Sequence, residues 1–193
     1  MVLILALLVG GGCVALGAWA IRRKQSGART EDATAAAVGR TLADLVPNDV
    51  VTHDVVDWMV AGVASLSEGA EHWIEGRLED ASREGWIVVN GADTDAVLVG
   101  ERVDDLVVGE NPSESLDHRG DVFKLERHGQ AQVVAVEGDV ARVYTASGEI
   151  DCHYWYYQRP GDARIWLRHV GNARHHFAGR RVARHLVGFL PGS

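Results

Sequence analysis

The sequence predicts an all-β protein: a duplicated antiparallel β domain, as a sandwich or a partly open barrel, behind one N-terminal transmembrane helix. Three observations carry that reading. Residues 1–21 (MVLILALLVGGGCVALGAWAI) contain no charged side chain, and Arg22-Arg23-Lys24 follow at once. Beyond residue 49 the chain breaks into short runs rich in β-branched and aromatic residues, spaced as in an all-β domain rather than as βαβ units. One aromatic hairpin pattern then occurs twice.

About twenty apolar residues at ~1.5 Å rise span the ~30 Å hydrocarbon core of a bilayer. A cleaved signal peptide opens on a basic region. Here nothing basic precedes the apolar run, although Ala18-Trp19-Ala20 imitates a cleavage site. A lipoprotein needs a branched apolar residue three before its cysteine, and Cys13 follows Gly10-Gly11-Gly12. An uncleaved anchor therefore fits best. Arg22, Arg23, Lys24 and Arg29 place its C-terminal side in the cytoplasm and the N-terminus outside, as a single-pass protein of the cell membrane. Within it Ala6, Gly10, Cys13, Gly17 and Ala20 recur at steps of four and three, which stacks them on one helix face. Small residues there admit a second membrane helix; ordinary membrane-helix composition is the other account. The resulting domains are the anchor (1–21), a basic juxtamembrane linker (22–39) and a β-rich cytoplasmic domain (40–193).

Charge is unevenly spread along that domain. Residues 31–158 hold eight Arg/Lys against twenty-six Asp/Glu, whereas residues 159–193 hold seven Arg against one Asp. So acidic a body excludes nucleic acid and anionic lipid from its general surface. The simplest partner of the basic end is the acidic body itself. The two cysteines lie in the anchor and in the cytoplasmic domain, so they cannot pair within one chain. Cys152 reads as a small buried hydrophobe.

In chain order, Thr30-Glu31-Asp32 suits the start of a short helix running through Leu45, and Pro47-Asn48-Asp49 makes a turn. Strand-like runs follow at 50–51, 55–63, 72–78, 85–89, 96–99 and 106–108. The polar stretch 109–120 (GENPSESLDHRG) divides the halves, about 40–108 and 121–170. The second half has runs at 121–125, 131–136, 140–145, 150–158 and 165–170. A basic C-terminal element, 171–193, contains one more at 182–190. The repeated hairpin is His72-Trp73-Ile74-Glu75-Gly76-Arg77-Leu78 returning through Gly85-Trp86-Ile87-Val88-Val89. Its counterpart is His153-Tyr154-Trp155-Tyr156-Tyr157-Gln158 returning through Arg164-Ile165-Trp166-Leu167-Arg168. An aromatic on each arm buries a large area and fixes register.

The stretch Leu42-Ala43-Asp44-Leu45-Val46-Pro47-Asn48-Asp49-Val50 is similar to the L-x-D-L-x-P-G-D-x-V opening of the bacterial DUF4178 family. Trp73-x-Glu75-x-x-Leu78 followed by Gly85-Trp86 resembles that family's hairpin. The resemblance covers roughly residues 40–170 and departs at Asn48, where glycine is usual, and at Gly76, where an aromatic is usual. It implies a β-rich fold and no assigned activity.

Signals for chemistry are sparse. His169, His175, His176 and His185, with Cys152-His153, carry no C-x-x-C or H-E-x-x-H spacing, so no metal and no cofactor are expected. Asp93-Thr94-Asp95 reads as a turn, and Glu75 with Asp80 as a chance proximity of acids. No nucleophile elbow or P-loop is present, and no enzyme is expected. Two features are candidates for binding. Trp73, Trp86, Trp155, Tyr157 and Trp166 are candidate partner or ligand aromatics, against a reading of the 153–157 strand as a central core strand. Arg180, Arg181 and Arg184 are candidate contacts to an anionic surface, against packing on the acidic body. The expected function is a membrane-anchored, non-catalytic accessory or scaffold that binds a membrane or cytoplasmic protein, with membrane lipid met through the N-terminal helix. The alternative is a small-ligand or anionic-lipid-surface binding module.

Overall fold

The computed structural model describes residues 39–192, apart from 82, 91, 92, 94, 141, 142 and 145–149. The expected anchor, its small-residue face, the linker and the start of the expected short helix lie outside the described residues. Among the described residues no helix is long and apolar enough to cross a membrane.

A 3₁₀ turn, Leu42–Asp44, opens the fold; Thr41 caps it and Asp44 reaches back to the Thr41 backbone. Eleven strands follow: β1 (Val50–His53), β2 (Val56–Glu68), β3 (Glu71–Asp80), β4 (Arg83–Asn90), β5 (Ala96–Arg102), β6 (Ser115–His118), β7 (Asp121–Gly138), β8 (Ile150–Gln158), β9 (Ala163–Val170), β10 (Ala173–Ala183) and β11 (Gly188–Leu190). Their order is β11-β1-β2-β3-β4-β5-β10-β9-β8-β7-β6, and β2 also pairs with β7. That pairing closes β2-β3-β4-β5-β10-β9-β8-β7 into an eight-stranded antiparallel barrel.

Closure depends on two long strands, of 13 and 18 residues, that each share one edge between two partners. β2 pairs with β1 from Val56 to Met59 and with β7 from Gly62 to Ser67. β7 pairs with β6 from Asp121 to Lys124 and with β2 from Gln132 to Gly138. The strands nearly touch at Gly62, where a Cβ would meet the Asp139 and Val140 backbone at 2.6–2.7 Å. The sheet is thus a closed barrel, neither a sandwich nor partly open. The sequence hid this because β7 reads as two runs, 121–125 and 131–136, when it is one strand.

The halves repeat one strand plan. In each, a short strand turns through two residues into a long strand, and three more strands follow in a meander. Both tight turns use the left-handed backbone that two-residue hairpins require: φ is 51° and 62° at Asp54-Val55, and 53° and 86° at Arg119-Gly120. The second repeat reaches Ala183 rather than 170, because β10 belongs to its meander. Several expected runs differ from the fold. Residues 106–108 form no strand, and Val140, Val143 and Tyr144 of the expected 140–145 run lie in the β7–β8 connection. The 109–120 break contains β6, and 182–190 divides between β10, a 3₁₀ turn and β11.

Three apolar layers result. The barrel interior holds Leu66, Trp73, Trp86, Tyr154, Trp166 and Phe177. Leu42, Leu45, Val51 and Val187 cover the outer face of β4 and β5 over Ile87, Val89 and Val97. Leu106, Leu116 and Phe123 cover the outer face of β8 and β9 over Tyr157, Ile165 and Leu167.

Candidate functional site

Alternation along a barrel strand turns every second side chain inward. Trp73 and Glu75 of β3 share the inner face with Cys152, Tyr154 and Tyr156 of β8 and with Trp166 and Arg168 of β9. The centre of this face is ionic. Glu75 and Arg168 are fully buried, and Arg168 Nε and Nη2 donate to Glu75 Oε1 at 2.7 and 2.5 Å. Trp73 Nε1 donates to the same oxygen at 3.0 Å, and Tyr144 Oη donates to Oε2 at 2.5 Å. The remaining Arg168 donors go to Tyr156 Oη (2.5 Å) and the Leu167 carbonyl (2.8 Å).

A buried ion costs several kcal/mol of desolvation, which its partner offsets only with good geometry and full hydrogen bonding. The geometry here is good, and four of the five Arg168 N–H groups are bonded. Burial by itself disfavours the Arg168 charge, but Glu75 beside it wins and the guanidinium stays protonated. Burial, and then the Glu75 charge, raise the Tyr144 pKa, so its phenol remains a neutral donor. Burial also pushes the Cys152 thiol up to about 12, which leaves little thiolate.

Tyr144 enters from the β7–β8 connection and packs with Val140 and Val143 into the interior cluster. It plugs the barrel end that also carries the β3–β4 and β9–β10 turns. The other end, bounded by the β2–β3, β4–β5 and β8–β9 turns, opens into a cavity of about 210 Å³. Trp73, Tyr154 and Tyr156 line it with Val88, Ala96 and Leu98, and Asp93, Glu126, Arg127, Arg164 and Arg181 stand towards its mouth.

The mouth arginines differ in how far they are used. Arg127 donates to Tyr154 Oη (2.9 Å), Glu71 (2.5 Å) and Glu68 (2.8 Å), which straps β7 to the β2–β3 turn. Arg181 gives Nη2 to Asp93 at 2.9 Å. Arg164 turns Nη1 to the Gly161 and Ala163 carbonyls, and Glu126 lies 3.9 Å from its Nε.

The expected aromatics fall in two places. Trp73, Trp86 and Trp166 are interior, with Trp86 and Trp166 packed on Phe177 at 5.0 and 5.4 Å and Trp73 edge-on to Tyr154 at 5.4 Å. Trp155 and Tyr157 point outward, where the Tyr157 hydroxyl donates to the Ser113 carbonyl at 2.8 Å. β8 is therefore a core strand covered on both faces. Arg180 pairs with Asp54 and Arg181 with Asp93, while Arg184 begins the 3₁₀ turn after β10.

Asp93 accepts from the Asp95 and Ala96 amides, forming the turn read from the sequence. Asp80 pairs with Arg83, so it is no partner of Glu75. His169 and His176 approach to 6.5 Å between rings; among the described residues no three His, Cys, Asp or Glu side chains converge on a metal position.

Sequence reasoning missed Tyr144, Tyr156, Arg127, Arg164 and Arg168. Arg168, fourteen residues after Tyr154, carried one usable signal: a charge in the middle of an aromatic strand, where a barrel turns it inward. No curated protein and no solved structure matches the chain. The family described as Domain of unknown function (DUF4178) matches residues 46–184, most of the chain, which therefore belongs to that family.

Proposed function

We propose that this protein is a membrane-anchored, non-catalytic module whose barrel binds a small molecule in the cup above the Glu75–Arg168 pair. One observation carries the reading: a closed barrel plugged by Tyr144 at one end and open at the other onto an aromatic-walled cavity. Barrels of eight strands are just wide enough to be filled by side chains or to hold one small ligand. At about 210 Å³ the cup falls below the roughly 300–1,000 Å³ of drug-sized sites, so its ligand is small. The charged groups beneath it are bonded to one another, which suits a fixed receptor better than a proton-transfer site. The membrane location rests on the apolar run 1–21 and the basic residues after it.

A filled cup tests this. Ala96→Trp projects a ring into the cavity, and its full-length protein should lose the small molecule that native mass spectrometry finds on the wild type. Equal ligand loading of a folded Ala96→Trp protein would refute the cup.

A second reading, docking of a protein partner, is favoured by an open crevice over the β5–β10 seam. It measures about 970 Å³ and is bordered by Trp58, Arg83, Arg102, Arg119 and Arg180. Arg119→Glu should then weaken capture of the partner from membranes while leaving ligand loading unchanged.

A further inference from the structure

We infer that the cup takes an anion: a carboxylate or phosphate on an apolar body, its charge held at the mouth by Arg164 and Arg181 and its body against Trp73, Tyr154 and Tyr156. This rests on the cup reading above and adds the chemical class of the ligand.

Donors outnumber uncommitted carboxylate acceptors around the cavity. Three of the carboxylates near the mouth are already committed. Asp93 accepts from Arg181 and from the Asp95 and Ala96 amides. Glu68 accepts from Arg127, Tyr154 and the Gln130 amide, and Glu71 from Arg127. Glu126, partly exposed, also lines the cavity and is the carboxylate left unbonded there, 3.9 Å from Arg164 Nε.

Donors are in surplus. Arg181 uses one nitrogen on Asp93, and Arg164 uses Nη1 on two carbonyls. Their other N–H groups meet no acceptor within hydrogen-bond distance among the described residues. Deeper down, Tyr156 Oη accepts from Arg168, so its own proton is turned to no described acceptor. A ligand that fits must therefore bring acceptors. A cation would find Glu126 alone uncommitted among these carboxylates and would face the unspent N–H groups of two arginines. Because Arg hydrogen bonds to carboxylate or phosphate are charge-assisted, they outweigh neutral ones roughly twofold. The walls set the rest of the ligand: Tyr154 and Tyr156, tilted with centroids 5.5 Å apart, line the cavity with Trp73, Val88 and Leu98, a surround that suits an apolar body.

A matched probe series decides it. Naphthylacetate, naphthylacetamide and naphthylethylamine share one ring system and differ in charge. Calorimetric titration into the full-length protein in lipid nanodiscs should give the acetate at least about tenfold the affinity of the amide, and the amine the least. Arg181→Gln should cost the acetate about tenfold and leave the amide unchanged. Arg181 is half-exposed, so that variant keeps the fold. Equal or tighter binding of amide or amine overturns the anion and leaves the cup standing. No binding of any of the three to folded protein overturns both.

Discussion

Glu75 sits where three separate parts of the chain meet: β3, β9 and the β7–β8 connection. Its carboxylate answers the only full charge that Arg168 brings into the described barrel interior beside it, and both side chains are wholly buried. Removing one member of such a pair leaves an uncompensated charge out of water, which costs about 3–5 kcal/mol. Glu75→Gln should therefore lower the unfolding midpoint in urea strongly with little change in slope. Replacing both members by apolar residues of similar size removes the stranded charge. Glu75→Leu with Arg168→Met should recover most of the loss, and a double variant no better than Glu75→Gln would show that the ionic pair is not the source. The same variant bears on the cup, since Arg168 is what turns the Tyr156 proton away from the floor. The sequence reading of Glu75 and Asp80 as a chance proximity left Glu75 without a partner, and that partner lies 93 residues away. Local spacing does not report a contact made by barrel closure.

At the scale of elements, the two repeats join at the β5–β10 seam, where Gly100 and Gly179 lie directly opposite. A Cβ on Gly179 would meet the Val99 carbonyl oxygen at 2.2 Å and the Gly100 Cα at 2.5 Å. Both are backbone atoms, so no rotamer change relieves the clash. Gly179→Ala should destabilise by about 1–3 kcal/mol through forced separation of the strands. Gly109→Ala is its control: the nearest atom is 4.0 Å away, and a change within about 0.5 kcal/mol is expected by thermal unfolding. Equal effects of the two would mean that the seam tolerates a wider spacing. The seam also shows what the sequence made legible. Strands whose apolar residues alternate cleanly or run continuously, β3, β4 and β8, were readable from composition and turns. β10 was not, since its inner face carries His175, Gly179 and Arg181, and the polar β6 looked like a linker. The repeated hairpin was legible because its aromatics fill the barrel. The cup was not, because its walls come from strands that only closure brings together.

For the molecule as a whole, the uneven charge of the sequence becomes a set of pairs across the fold. The basic end meets the acidic body through Arg174 and Glu110, Arg180 and Asp54, and Arg181 and Asp93. Exposed pairs of this kind contribute little individually and are screened by salt, so they do not set the response to pH. Buried histidines do. Burial, then Arg174 and the neighbouring His176, His153 and His175, lower His169 from 6.5 to about 4; burial, then Arg102 and His176, lower His175 to about 4. Both nitrogens of His175 are buried without a hydrogen-bond partner among the described residues, so its neutral form is the one the fold accepts. A depressed folded pKa contributes stability that is fully present above the unfolded value and is lost as pH falls through the folded one. The window therefore runs from 6.5 down to about 4. Glu68 and Asp93, whose pKa values are also lowered, begin to lose their contribution only near 4.5 and 3.8, at the lower edge of that window. The unfolding temperature should fall steadily from about pH 6.5 to about pH 4.5. His175→Leu should flatten that slope while changing little at about pH 7.5, because it removes a group that the unfolded chain protonates and the barrel refuses. An unchanged slope in the variant would assign the acid sensitivity to the carboxylate pairs instead.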